Sequence, residues 1–239
     1  MRSFGLKNLL NLKNDILHLV YPSSCIVCNT ELTTDSLSIC LFCSNDLLFT
    51  YFERYNEPTP LDQLFWGRVQ VHATYSLLFF EKKKSTQSIL HALKYKDNPN
   101  VGIEFGKMIG SRIKAMSIFE DLDALVFVPL HNKRQFLRGY NQSEQLAEGI
   151  SQEITKPVLK NFLKRNKNSA SQTKKGRFLR WDNVENKFQV YTNQTFKVKH
   201  IAIVDDVITT GSTLEVIIKA IKEKNPEIRI SVISLALAK

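Results

Sequence analysis

From about residue 60 onward, short continuously apolar runs alternate with segments whose apolar residues recur every three or four positions. VQVHATYSLLFF reads as a strand or hairpin, STQSILHALKYKDNPN begins as a helix, and VGIEFGKMIGSRIKAM carries apolar residues at helical spacing. LDALVFVPL then reads as a buried strand, YNQSEQLAEGISQEI as a helix and HIAIV as a second buried strand. LEVIIKAIKEK follows as a helix and RISVISLALA as a last strand. Strands that are apolar without alternation are covered on both faces, and helices between them supply the cover. The pattern predicts an α/β domain with a mainly parallel sheet.

The beginning of the chain is patterned differently. Residues 4 to 20 place Leu6, Leu9, Leu10 and Leu17 at roughly helical spacing until Pro22 stops them, which predicts a short helix. Lys7, Lys13 and Asp15 interrupt the leucines, unlike a signal-peptide core, and no apolar run reaches the eighteen or so residues of a membrane span. A cytoplasmic protein is expected. After the last cysteine, LLFTYFERYNEPTPLD mixes aromatics with two prolines, as a connector would. The expected division is a small module over 1–60 and a larger domain over 61–239. Within the larger domain, KNSASQTKKGRFLRWDNVENKF is polar, basic and poorly periodic, so a mobile connection of the lid type is expected there.

Cys25, Cys28, Cys40 and Cys43 form CIVC and CLFC separated by eleven residues. A two-residue spacing lets one tight turn aim both sulfurs at one ion, and two such turns complete a tetrahedral zinc site. Four thiolates leave no open coordination position, so the metal would be structural. Two disulfides or a redox pair are the competing readings.

The segment HIAIVDDVITTGSTLEVIIKAIKEK carries the chemistry. Ile201, Ile203 and Val204 form a strand expected to end at Asp205 and Asp206, while Leu214, Ile217, Ile218 and Ile221 mark a buried helix face. VITTGST is therefore a strand-to-helix turn at the carboxyl edge of a sheet, where open α/β folds bind ligands. Free N–H groups and the dipole at the helix start favour a phosphate. Gly211 permits close backbone approach, and Thr209, Thr210, Ser212 and Thr213 offer hydroxyls. No lysine follows a glycine as in a Walker A loop, and no GxGxxG is present. Carboxylates only accept hydrogen bonds, so Asp205 and Asp206 suit two sugar hydroxyls better than the anion. Phosphate in the turn and ribose over the acids describe a ribose 5-phosphate unit. The plain structural alternative is a polar strand end with a helix cap.

VDDVITTGST resembles the phosphoribosyl pyrophosphate (PRPP) signature of type I phosphoribosyltransferases. VFVPLHNKRQFLRGYNQSEQLA repeats the order of strand, loop and helix, with Asn141 and Glu144 spaced as a capping box. Its loop holds His131, Lys133, Arg134 and Arg138. Together with the cysteine module, a lid carrying Gln172, Arg180, Asn183 and Phe188, and LKY at Leu93 to Tyr95, these motifs resemble the ComF family of competence-associated phosphoribosyltransferase-like proteins. The resemblance runs from about residue 15 to the end, and Phe127 departs from it where relatives often have proline.

The resemblance implies a type I phosphoribosyltransferase sheet with a zinc module. It also implies PRPP with Mg2+, ribose held by Asp205 and Asp206, pyrophosphate received around Pro129, Leu130 and His131, and lid residues Lys174, Lys175 or Arg177 helping to neutralise that pyrophosphate. A role in DNA uptake follows from the same resemblance, with single-stranded DNA and a competence helicase as partners. Two functions stay open: transfer of phosphoribose to an unknown nucleophile, or a module that recognises PRPP or DNA without turnover. The composition is compatible with a polyanionic partner. Lys and Arg number 33 against 23 Asp and Glu, a net charge of +10, or about +8 with a zinc tetrathiolate. KNFLKRNKNSASQTKKGRFLRW interleaves Phe162, Phe178 and Trp181 with basic residues, as single-strand binders do, although core positions for these rings and a solvated basic surface fit equally.

Overall fold

A computed structural model describes residues 24–32, 38–82, 84–95, 98–130, 132–165, 188–191 and 198–238. The expected N-terminal helix, His131 and the whole lid before Phe188 lie outside the described residues. The chain divides into two compact units, Met1–Leu47 and Leu48–Lys239. The connector that the sequence carries to residue 60 is tied to the larger unit by its backbone. Phe79 N donates to Leu48 O (2.8 Å), Thr50 N donates to Leu77 O (3.0 Å), and the Thr50 hydroxyl bonds Ser76 O.

The small unit is built from two cysteine turns. Ser24 and Glu31 pair as an isolated antiparallel bridge, with Cys25 N donating to Thr30 O (2.8 Å) and Asn29 in the left-handed region at φ 60°. The second turn leads into α1 (Leu41–Asn45).

In the large unit, α2 (Pro60–Gln63) precedes β1 (Thr74–Phe80), α3 (Ser85–Tyr95) and α4 (Pro99–Ile113). Next come β2 (Ala124–Phe127), α5 (Asn132–Arg138) and α6 (Gln142–Ile154). The short strands β3 (Leu163–Arg165) and β4 (Phe188–Val190) are followed by β5 (His200–Ile208), α7 (Ser212–Lys224) and β6 (Arg229–Ala238). The main sheet has the order β1-β6-β5-β2 and every pairing in it is parallel. It is the α/β sheet that the continuous apolar runs predict. β6 lies inside the sheet, and Ile230 through Leu237 are buried throughout. β3 and β4 pair antiparallel as a separate two-stranded sheet.

The closest helix contact is between α4 and α6, and glycine makes it possible. A Cβ on Gly106 would stand 2.3 Å from Leu146 O, and one on Gly149 would stand 2.2 Å from Ile103 O. Backbone meets backbone here, so no side chain can yield.

Three expectations need correction. β5 does not end at the acids but continues to Ile208, because Asp205 stays in register with Ser234 and Val207 with Ala236 of β6. The basic loop after β2 contains the short helix α5, which the pattern hid because Phe136 and Leu137 point to solvent, 89% and 80% exposed. Asn141 caps α6, its Oδ1 accepting from Ser143 N (3.0 Å), but Glu144 does not complete a capping box. Lys160 reaches Glu144 (3.4 Å) and Glu148 (2.8 Å) instead. Among the described residues, no helix is long and apolar enough to cross a membrane.

Candidate functional site

The parallel sheet ends on its carboxyl edge at two neighbouring loops. Val128 N donates to Val204 O (3.0 Å), which brings the loop at Pro129 and Leu130 beside the acids of β5. Asn141 Nδ2 donates to Val128 O (3.0 Å) and so fixes the start of α6 against the same edge. Pro129 is buried and Leu130 half-buried. His131 and the side chains of Lys133 and Arg134 lie outside the description. Arg138 turns to its own surroundings, donating to Gln142 Oε1 (3.0 Å) and lying 5.4 Å from the centre of the Tyr95 ring.

Asp205 and Asp206 are both half-buried and point to different partners. Asp205 Oδ1 accepts from Ser143 Oγ (3.2 Å) and from Asp206 N (2.9 Å). Asp206 Oδ1 accepts from Val207 N (2.8 Å), and its Oδ2 lies 2.8 Å from Lys94 Nζ. Burial pushes the Asp205 carboxyl up to about 7, and the charge of Asp206 adds to the effect. The two hydrogen bonds and the Lys94 ammonium oppose it. Lys94 thus lets two adjacent carboxylates share one edge. A ligand donating hydroxyl protons to Asp205 would favour its ionised form.

The turn after β5 is short. Gly211 at φ 70° occupies the left-handed region, and α7 begins at Ser212 with Glu215 N donating to Gly211 O (2.9 Å). Thr209, Thr210, Ser212 and Thr213 are exposed, and Thr210 Oγ1 lies 2.9 Å from Ser212 Oγ. Phe65 packs beneath, since a Cβ on Gly211 would meet its ring at 3.2 Å.

The residue that anchors this turn comes from far away in sequence. Arg68 Nη1 donates to Thr210 O (2.6 Å) and Leu64 O (2.8 Å), while Nε and Nη2 donate to Glu215 Oε2 (2.9 and 2.6 Å). Nη2 also lies 3.5 Å from Ser212 Oγ. Lys219 and then Arg68 hold Glu215 below the usual carboxylate range. Positive charge and a fixed turn therefore stand together at the start of α7. Arg68 has no local sequence signal that marks it as a site residue, while Lys94 and Ser143 lie in the LKY and YNQSEQLA segments without being singled out there.

The chain is similar to known proteins. The phosphoribosyl transferase domain family matches residues 138–239. Competence protein F of Haemophilus influenzae is 38% identical over 106 residues, which cover 44% of this chain and 46% of that protein. These two matches support the resemblance to the ComF family. DNA utilization protein YhgH of Escherichia coli is 24% identical over 196 residues and 80% of each chain. The chain thus matches less than half the length of Competence protein F but most of YhgH. Among solved structures, B. subtilis glutamine PRPP amidotransferase matches with TM-score 0.40 and 20% identity, over 59% of this chain and 30% of that one. Adenine phosphoribosyltransferase from Leishmania tarentolae matches with TM-score 0.30 and 16% identity, over 75% and 88%.

The small unit brings the four cysteines together. Their sulfurs all lie within 4.8 Å of one another, and none is in a disulfide. Cys28 Sγ and Cys40 Sγ are 3.6 Å apart. Sulfurs bonded tetrahedrally to zinc at ~2.3 Å stand ~3.8 Å apart, whereas a disulfide requires ~2.05 Å. The cluster is compatible with zinc. Cys40 N donates to Cys25 Sγ and Cys43 N to Cys40 Sγ, both at 3.4 Å. The hydroxyl and backbone of Thr30 hold Cys28 down at about 6, while burial pushes Cys43 up.

A second group of metal-type side chains, His72, Asp121 and His200, lies at the start of β5, away from the turn. Its members are already engaged. His200 Nδ1 is 2.7 Å from Asp121 Oδ1 and Nε2 is 2.8 Å from Ser231 Oγ, while Arg229 pairs with Asp121. Burial holds His200 below its usual value, which favours the neutral ring. The group ties the starts of β5 and β6 together.

Proposed function

We propose that this chain binds PRPP at the β5–α7 turn and serves DNA uptake, handling single-stranded DNA with a zinc-stapled N-terminal module. The observation that carries the ligand reading is the division of labour on one strand end. An anchored turn at a helix start offers N–H groups and hydroxyls to a phosphate, and two carboxylates just before it offer acceptors to a sugar. The names Competence protein F and DNA utilization protein support the biological role.

In this reading, Thr209 to Thr213 hold the 5-phosphate and Asp205 and Asp206 hold the ribose hydroxyls. Phosphoribosyl transfer breaks the bond between the anomeric carbon and pyrophosphate oxygen, leaving the pair of electrons on pyrophosphate. Positive charge then grows on the sugar beside the two acids, and fixed carboxylates stabilise it without reorganising. Pro129, Leu130 and His131 receive the pyrophosphate, with Lys174, Lys175 and Arg177 supplying charge from the lid. Mg2+ neutralises pyrophosphate charge when bound. Among the described residues, no group of three metal-type side chains lies at the turn, so the ion would arrive on its ligand, with Asp205 or Asp206 adding at most a contact. Zinc on Cys25, Cys28, Cys40 and Cys43 is structural.

Titration calorimetry with PRPP and Mg2+ tests the reading. Binding by the intact chain and its loss in a double Asp205→Ala, Asp206→Ala variant are expected, and undiminished binding by that variant would remove the ribose assignment. Pyrophosphate release across a panel of acceptors then separates a transferase from a module that binds without turnover. Oligonucleotide affinity falling steeply with salt is expected of the DNA role. Salt-insensitive or undetectable binding would refute it.

A further inference from the structure

Opposite the described features of the turn, a cleft of about 650 Å³ opens between the β3–β4 pair and the C-terminal end of α7. We propose that this cleft seats a base of single-stranded DNA, with its phosphates on Lys164 and Lys224. The inference rests on the DNA-handling role proposed above and gives that role a location separate from the PRPP turn.

The walls are apolar where a base would enter. Val158, Ile221 and Ile228 line them, and the volume lies within the ~300–1,000 Å³ typical of small-ligand pockets. Tyr191 supplies an aromatic ring at the rim, 42% exposed, and its backbone is fixed by Tyr191 N donating to Phe162 O (2.8 Å). Phe162, a candidate for stacking in the sequence, is buried and forms part of the support instead. The exposed ring is therefore one that the sequence pattern did not single out.

Charge identifies the occupant. Lys164 Nζ lies 5.1 Å from the Tyr191 ring centre, and Lys224 lines the cleft from the last turn of α7. Lys160 is neutralised by Glu144 and Glu148, whereas Lys164 and Lys224 have no such ion pair among the described residues. An apolar slot, one exposed ring and the two cations Lys164 and Lys224 match a stacked base on a phosphate backbone. Rings that stack on any base and cations that track phosphates are how single strands are held without sequence preference.

The test is fluorescence anisotropy with a labelled oligo-dT of about 20 nucleotides, titrated with the full chain at several salt concentrations. Tyr191→Ala is expected to weaken binding about tenfold. A double Lys164→Ala, Lys224→Ala variant is expected to weaken it about tenfold or more and to flatten the salt dependence by roughly 1.4 in slope. Lys107→Ala, which removes an exposed lysine outside the cleft, is expected to change little. PRPP binding is expected to persist in all three variants, which also reports that they fold. If the intact chain binds oligo-dT and the cleft variants bind it equally well, the cleft is overturned while the DNA role stands. If the intact chain fails to bind, the DNA role falls and the cleft with it. If free dTMP binds as tightly as the oligonucleotide, the occupant is a mononucleotide and the proposal is overturned.

Discussion

Replacing Arg68 with alanine removes a side chain that links the turn carbonyl of Thr210 to the first turn of α7. The lost contacts are the bonds to Thr210 O and Leu64 O and the two bonds to Glu215. A charged hydrogen bond contributes ~1.5–3 kcal/mol when protected from water. Here the Arg68 and Glu215 side chains are 31% and 22% exposed, so screening reduces the ion pair to about 1 kcal/mol. With the carbonyl bonds the loss comes to roughly 2–3 kcal/mol of stability. About half of it acts directly on Thr210 and Ser212, which corresponds to a roughly tenfold rise in Kd for a phosphate held there. Calorimetry with ribose 5-phosphate and thermal denaturation of the same samples measure the two effects. Arg68→Lys keeps the charge but not the forked geometry, and is expected to recover only part of the affinity. Unchanged Kd in Arg68→Ala, with or without a lower Tm, would refute the claim that Arg68 sets the turn.

Three further outcomes follow from the geometry. Gly106→Ala forces a Cβ to within 2.3 Å of the Leu146 carbonyl, so a loss of ~2–4 kcal/mol in denaturant unfolding is expected, and an unchanged midpoint would contradict the α4–α6 packing. Asp205, raised from 3.8 to about 7, is protonated in both states at low pH and is ionised at a cost in the folded state above pH 7. Its cost therefore grows as pH rises through that window, and Asp205→Asn is expected to stabilise most above pH 7, by up to ~4 kcal/mol, and hardly at all below pH 4. Equal stabilisation at both ends would show that the carboxyl is not raised. Metal analysis of protein kept reduced is expected to give about one zinc per chain, with Cys43→Ser losing it; intact zinc in that variant would contradict the four-sulfur set.

The sequence carries most of what is local and little of what is distant. The order of strands and helices is legible because each apolar run is continuous and each helix keeps its spacing, as Leu214, Ile217, Ile218 and Ile221 do on their buried face. The acids and the turn lie in one stretch, so their relation is visible without a fold. Ser143 and Arg68 are not, since they come from 62 and up to 147 residues away and act only after the sheet assembles. Asn141 and Glu144 show the opposite failure. A correct local spacing loses Glu144 to Lys160, a partner that the local sequence does not contain. The end of β5 differs from its sequence pattern for a similar reason: polarity marks Asp205 and Asp206 as a boundary, but pairing with β6 carries the strand past them.

A structure of the chain with PRPP and Mg2+ tests the central claim most directly. The expected result is the 5-phosphate within hydrogen-bond reach of the N–H groups and hydroxyls at Thr210 to Thr213, with the ribose hydroxyls on Asp205 and Asp206. PRPP bound elsewhere, or bound with its ribose out of reach of both acids, would contradict the account.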